Sequence, residues 1–333
     1  MQLTSALTAN PTRYVTGRDD RSLLADRSLR RRTVWFAFYT VGCAALFWHP
    51  LRDLVYLAKS SDTDSHVLLI PFVTVSLLWA FRKVIFQQTC PNSRVFAAAF
   101  LLLGVLVYLS RWHFGPILPT RYSLELMVVS FCSFFFAGFV LMYGMESFRA
   151  GLFPLLFLLL SVPLPEFLLN RLIWWLQLGS AEVSSWIFYL TRTPVLREGL
   201  LFTVPGVTIE IAKECSGIRS TIGLLITCML AGYLLLRTVS ARVALLVAAL
   251  PVLAVKNGIR IATLTLLSIH VDPGFLVGRL HRDGGFVFFA IGLLILLPVL
   301  SWLRRAEDQY LGARKSGANA MFGTTHVCNG KSR

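Results

Sequence analysis

The chain has 333 residues, 56% hydrophobic and 15% charged, with a mean hydropathy of +0.66; soluble domains carry roughly 25% charged residues, so a water-soluble globular protein is excluded. Lys and Arg number 32 against 17 Asp and Glu, a formal charge of +15. The basic residues cluster between apolar blocks and do not form the stripe that nucleic acid requires, so no nucleic-acid partner is expected and the bilayer is the solvent this composition fits.

In chain order, residues 1–33 read as a basic disordered tail, polar and rich in Arg. A transmembrane helix needs roughly 20 apolar residues to cross ~30 Å at ~1.5 Å per residue. Eight blocks are candidates, over 34–55, 65–81, 95–112, 122–144, 150–165, 216–236, 243–262 and 284–303. They predict an all-α polytopic membrane protein with one transmembrane domain over 34–303. The first block lies too far from the start, and is too long, for an ordinary cleaved signal peptide. The fifth, ending at Pro163 and Pro165, is the shortest. Residues 166–213 are apolar but broken by Glu166, Arg171, Glu182 and Arg192. With Trp174, Trp175 and Trp186, rings that favour the headgroup region, this stretch predicts interfacial helices packed on the bundle. Within it, β-prone Leu201–Val204 and Val207–Ile211 flank Pro205-Gly206, which predicts a short outward-facing β-hairpin before the sixth span. Residues 304–333 form a second basic tail, also expected to be disordered.

Arg13, Arg18, Arg21, Arg27, Arg30, Arg31 and Arg32 place the N-terminal tail in the cytoplasm by the positive-inside rule. Alternation then puts Arg82, Lys83, Arg94, Arg149, Arg237, Arg242, Arg304 and Arg305 on the same side, so independent loops agree and both termini are expected inside. The outer region breaks the bias. Arg192, Arg197, Lys213, Arg219, Lys256, Arg260, Arg279 and Arg282 gather around the last three spans and call for a functional explanation.

The same frame sorts the six cysteines. Cys43, Cys132 and Cys228 fall within spans and Cys90 and Cys328 face the cytoplasm, leaving Cys215 as the single outward thiol. It has no outward disulfide partner, which marks it as reactive. Glu214-Cys215-Ser216-Gly217 directly precedes an apolar helix, where unpaired amides stabilise a thiolate. Lys213 and Arg219 add positive potential, which Glu214 opposes. Arg260, in Lys256-Asn257-Gly258-Ile259-Arg260, is embedded in apolar sequence; an arginine there is costly and is a functional candidate unless it snorkels to the headgroups. Two histidines follow, His270 at the end of that stretch and His281 beside Gly284 and Gly285 at the mouth of the last span. The local case is stronger for His281, but spacing leaves both open, and His66 also faces outward. No CxxC pair, His-Glu-x-x-His helix or phosphate-binding loop is present, so no metal or cofactor is expected. A thiol, a guanidinium and an imidazole at the ends of three neighbouring spans are the parts of an acyl-transfer site.

Glu-Cys-Ser-Gly-Ile-Arg-Ser at 214–220, Asn-Gly-Ile-Arg at 257–260 and His-Arg-Asp-Gly-Gly at 281–285 resemble the exosortase/archaeosortase family in order, spacing and membrane context. The likeness extends to Asp64-Ser65-His66 with Pro71 and to Val162-Pro163-Leu164-Pro165, covering most of 35–303. The resemblance implies a cysteine-type sorting peptidase or transpeptidase of the inner membrane, with Cys215 as nucleophile, Arg260 as transition-state stabiliser and His281 as acid/base. It also implies, as partners, membrane lipids and exported proteins with a C-terminal signal made of a short motif such as Pro-Glu-Pro, a hydrophobic helix and a basic end. Many bacterial relatives are linked to exopolysaccharide production. The rival reading is a non-enzymatic component of polysaccharide or lipid export, in which Arg260 and its basic neighbours bind an anionic headgroup. The oligomeric state has no signature in the sequence.

Overall fold

The computed structural model of the protein describes residues 27–61, 63–86, 93–114, 119–204, 207–211, 217–276 and 285–323. These divide into two compact units, Met1–Trp174 and Trp175–Arg333.

The first unit contains α1 (Arg27–Leu46), α2 (Trp48–Ser60), a 3-10 turn (Ser65–Leu68), α3 (Ile70–Ala80), α4 (Arg82–Ile85), α5 (Arg94–Phe114), α6 (Thr120–Tyr143), α7 (Met145–Ala150), α8 (Leu152–Phe157), a second 3-10 turn (Leu158–Ser161) and the start of α9 (Glu166–Leu190). α6 is its central helix: 61% of its apolar window is buried, against 11% for α5, so α5 keeps most of its apolar surface for lipid. The core is aromatic, with Phe36 edge-on to Phe135, Phe139 and Tyr143 at centroid distances of 5.2, 5.8 and 5.4 Å, the geometry that ring quadrupoles favour.

The chain bends sharply at two points, one inside the first predicted span and one at the predicted end of the fifth. The first block is not one helix: α1 ends at Leu46 and the chain turns 77° into α2. Pro50 is the physical reason, since it has no N–H for the Leu46 carbonyl and its ring crowds that oxygen. The fifth block ends where Val162-Pro163-Leu164-Pro165 turns the chain 90° into α9. Proline disfavours helix in the residue before it, and Val162 is extended at ψ 124°. The interfacial helices expected beyond this point are one continuous helix of 25 residues. Among the described residues, five helices are long and apolar enough to cross a membrane, and up to seven spans result if each bent pair is one crossing; Ser65–Ala80 is shorter. The fold is therefore polytopic and α-helical as expected, with a lower count than eight by this test.

The second unit holds the rest of α9, strands β1 (Leu196–Glu198), β2 (Leu201–Val204) and β3 (Val207–Glu210), then α10 (Ile218–Leu235), α11 (Val239–His270), a 3-10 turn (Pro273–Leu276) and α12 (Gly285–Gly323). The expected hairpin is present, with Val204 paired to Val207 and Leu201 to Glu210. β1 adds a third antiparallel strand that the sequence reading did not anticipate. Phe202 and Ile211 anchor the sheet on Phe188 of α9 and on Ile261 and Ala262 of α11. α12 runs unbroken through Arg304 and Arg305. Near the start of α11, the buried Glu307 accepts hydrogen bonds from the backbone N–H of Arg237, at 2.9 Å, and from the Thr238 hydroxyl, at 2.6 Å. The carboxylate thus meets the helix end whose orphan amides favour an anion.

Candidate active site

α11 supplies the centre of the site. Its Lys256, Asn257 and Arg260 are 0%, 0% and 7% exposed, although each belongs to a side-chain class that is rarely buried without a partner. They are packed between α9, α10 and α12. On the α9 side, Ser180 accepts from Asn257 Nδ2 at 2.9 Å and the Ser184 hydroxyl donates to the Gly258 carbonyl at 3.2 Å. The two helices meet so closely at Gly258 that a Cβ there would stand 2.5 Å from Val183 Cβ. Gln177, one turn before Ser180 and Ala181, donates to the Ile211 carbonyl at 2.6 Å and ties the end of the sheet to the same helix.

On the α10 side the contact is made by Gly217, the N-cap residue, which is left-handed at φ 59° and ψ 31°. That conformation suits glycine, and so does the space: a Cβ on Gly217 would lie 2.8 Å from Asn257 Oδ1 and 3.0 Å from an Arg260 terminal nitrogen. The third residue of Cys215-Ser216-Gly217 therefore rests directly on the guanidinium of Asn-Gly-Ile-Arg, and two motifs 43 positions apart in the chain (260 minus 217) meet at one point. Lys256 Nζ donates to Ser220 Oγ at 2.6 Å and lies 3.3 Å from Thr221 Oγ1, both in the first turn of α10.

Of the residues singled out in the sequence, Arg260 is at this junction. Cys215 lies within 212–216 and His281 within 277–284, both outside the described residues. His270 ends α11 and is exposed, about 15 Å beyond Arg260 along the helix axis at ~1.5 Å per residue. Cys43, Cys132 and Cys228 are buried thiols inside helices, as fillers should be; Cys90 and Cys328 lie outside the described residues. Among the described residues no group of three His, Cys, Asp or Glu side chains is placed to hold a metal ion.

A second polar cluster lies in the first unit. Asp64, 1% exposed, receives a bidentate pair from Arg121 at 3.1 and 3.0 Å and hydroxyl bonds from Ser61 and Thr63 at 2.8 and 2.9 Å. Arg121 also donates to the Leu164 carbonyl at 3.0 Å, and its Nε is 3.5 Å from Glu125. The His66 ring lies beside the backbone of Thr63 and Leu160. Asp64-Ser65-His66 and Val162-Pro163-Leu164-Pro165 are thus joined through Arg121, which sequence reasoning missed. Its signal was an Arg and a Glu four residues apart at the start of an apolar block, an i,i+4 pair.

Residues 58–298 match the family model described as "Transmembrane exosortase (Exosortase_EpsH)". The chain belongs to the transmembrane exosortase family. No curated protein and no solved structure matches it. The matched span takes in Asp64, Arg121, Cys215, Arg260 and His281 and leaves both tails outside. As an exosortase-family member this is a multi-pass membrane protein with a sorting-related role, in the processing of exported proteins.

Proposed function

We propose that the chain is a cysteine-type peptidase or transpeptidase that removes the C-terminal sorting signal of exported proteins. The observation that carries this reading is the contact of Gly217, the glycine of the cysteine motif, with Arg260, the guanidinium that the sequence places in an apolar stretch. In this mechanism the Cys215 thiolate attacks the scissile carbonyl carbon, and Arg260 stabilises the charge that develops on its oxygen. The C–N bond then breaks, and His281 delivers the proton to the departing amine. Water or an acceptor amine then attacks the resulting thioester, gives its proton back to His281, and releases Cys215 as thiolate.

Burial supports the role of Arg260, because a snorkelling arginine exposes its head and this one is 7% exposed. The position of His270, exposed and far along α11, favours His281 as acid/base. The substrate is an exported protein whose short motif, hydrophobic helix and basic end dock laterally from the bilayer, which fixes the scissile bond in depth. The termini face the cytoplasm and the site faces the outer side of the inner membrane, following the basic loops. Exopolysaccharide or surface-protein export is the expected cellular setting. The deciding experiment is co-expression with a signal-bearing exported protein. Cys215→Ala should abolish processing without altering membrane insertion, and Arg260→Lys should lose most activity, because an ammonium does not reproduce the planar donor pair. Processing that survives Cys215→Ala would return the field to the headgroup-binding export component.

A further inference from the structure

Lys256 has no part in the three-residue mechanism, yet the fold is built around it. Its aliphatic stem runs between α10 and α12: a Cβ on Gly292 would meet its Cδ and Cγ at 3.4 and 3.5 Å, ordinary contact distances, and would press instead on Leu224 Cδ2 of α10 at 2.8 Å. Its amine is wholly buried, and its hydrogen-bond partners among the described residues are two hydroxyls and no carboxylate. For stability alone, a leucine or methionine would fill this volume at no desolvation cost. An ionisable group kept deep in a membrane domain points to function.

The direction of its hydrogen bonds tells which function. Lys256 Nζ donates to Ser220 Oγ at 2.6 Å, and Ser220 Oγ donates in turn to the Gly217 carbonyl at 2.9 Å. The same carbonyl accepts the first backbone bond of α10, from Thr221 N at 3.0 Å. A three-member donor chain therefore starts on α11, one turn from Arg260, and ends on the peptide of the left-handed residue that touches Arg260. Both bonds hold the Gly217 carbonyl, and with it the first turn of α10.

We propose that Lys256 is a positioning residue for the reaction: acting through Ser220, it holds the first turn of α10 against Arg260 so that nucleophile and guanidinium keep one spacing. This inference rests on the reading of Cys215 and Arg260 as the reacting pair. Groups that only orient others are felt in turnover more than in ground-state binding, and members of one hydrogen-bonded chain are non-additive.

The test uses the full-length protein in lipid nanodiscs with a signal-bearing peptide, and measures kcat and KM separately. Lys256→Met and Ser220→Ala should each lower kcat about 10- to 100-fold with KM within about twofold. The double variant should be no slower than the slower single, and Ser220→Thr, which keeps a hydroxyl, should recover at least half of the lost turnover on a logarithmic scale. Should Lys256→Met fail to insert, the comparison of Ser220→Ala with Ser220→Thr decides alone. Wild-type kcat in Ser220→Ala, losses that multiply in the double variant, or a loss confined to KM would each overturn the proposal. Cys215→Ala is assayed alongside. If it stays active, the catalytic reading itself falls; if it is dead while Lys256→Met and Ser220→Ala turn over normally, only the role of Lys256 falls.

Discussion

Gly217→Ala separates the geometry of the site from the stability of the fold. At φ 59° and ψ 31° a Cβ costs ~1–2 kcal/mol, offset by ~0.4–1 kcal/mol from the stiffer unfolded chain. The net loss of roughly 1 kcal/mol is small beside the ~5–15 kcal/mol of a folded domain, so the protein should insert and remain monodisperse in detergent. The same Cβ arrives 2.8 Å from Asn257 Oδ1 and 3.0 Å from Arg260, ~0.5 Å or more short of ordinary van der Waals contact. Because Asn257 is pinned to Ser180, the guanidinium and the turn must separate. Misplacement of ~1 Å at a reacting centre costs ~100-fold, so a shift of about half that should slow processing roughly 10- to 100-fold. The assay is the ratio of processed to unprocessed co-expressed substrate over time, with insertion followed by size-exclusion chromatography. Gly217→Asn is the control: asparagine tolerates the left-handed region but carries the same Cβ, so it should be as slow as Gly217→Ala. Wild-type processing in Gly217→Ala would refute the packing of Gly217 on Arg260, and full activity in Gly217→Asn alone would shift the cause from contact to backbone strain.

Three further outcomes follow from the packing. Arg121→Gln leaves the buried Asp64 without its bidentate partner and should lose ~3–5 kcal/mol, read as a lower detergent melting temperature, whereas Asp64→Asn with Arg121→Gln should recover most of it. Glu307→Gln replaces one of the acceptors at the start of α11 with a donor and should cost ~1–3 kcal/mol in the same assay, a loss that added salt should change little because the group is buried. Gly258→Ala places a Cβ 2.5 Å from Val183 Cβ and should destabilise by ~1–3 kcal/mol; Val183→Gly in the same chain relieves it and Val183→Ala does not, since the clashing atom is the β-carbon itself.

Composition alone determined the solvent and the fold class, because a mean hydropathy of +0.66 in long blocks leaves the chain no other place to bury itself. The hairpin was legible for a similarly local reason, two β-prone runs around a turn dipeptide. Arg260 was legible as well, since a guanidinium in apolar sequence carries its own cost wherever the chain goes. The break at Pro163 and Pro165 was legible as the end of the fifth span, but the bend at Phe47 was not, although Pro50 was in plain view, because hydropathy averages over a window and a missing amide acts at one residue. Arg121, Lys256, Ser180 and Ser220 were harder still. Nothing adjacent to Ser220 marks it as the acceptor of a lysine on the next helix, and nothing near Leu164 announces that its carbonyl faces Arg121. Those pairings depend on which faces of which helices meet, and that is decided by close contacts such as Gly258 on Val183, where the absence of a side chain sets the distance between helices and so selects which polar groups come within bonding range.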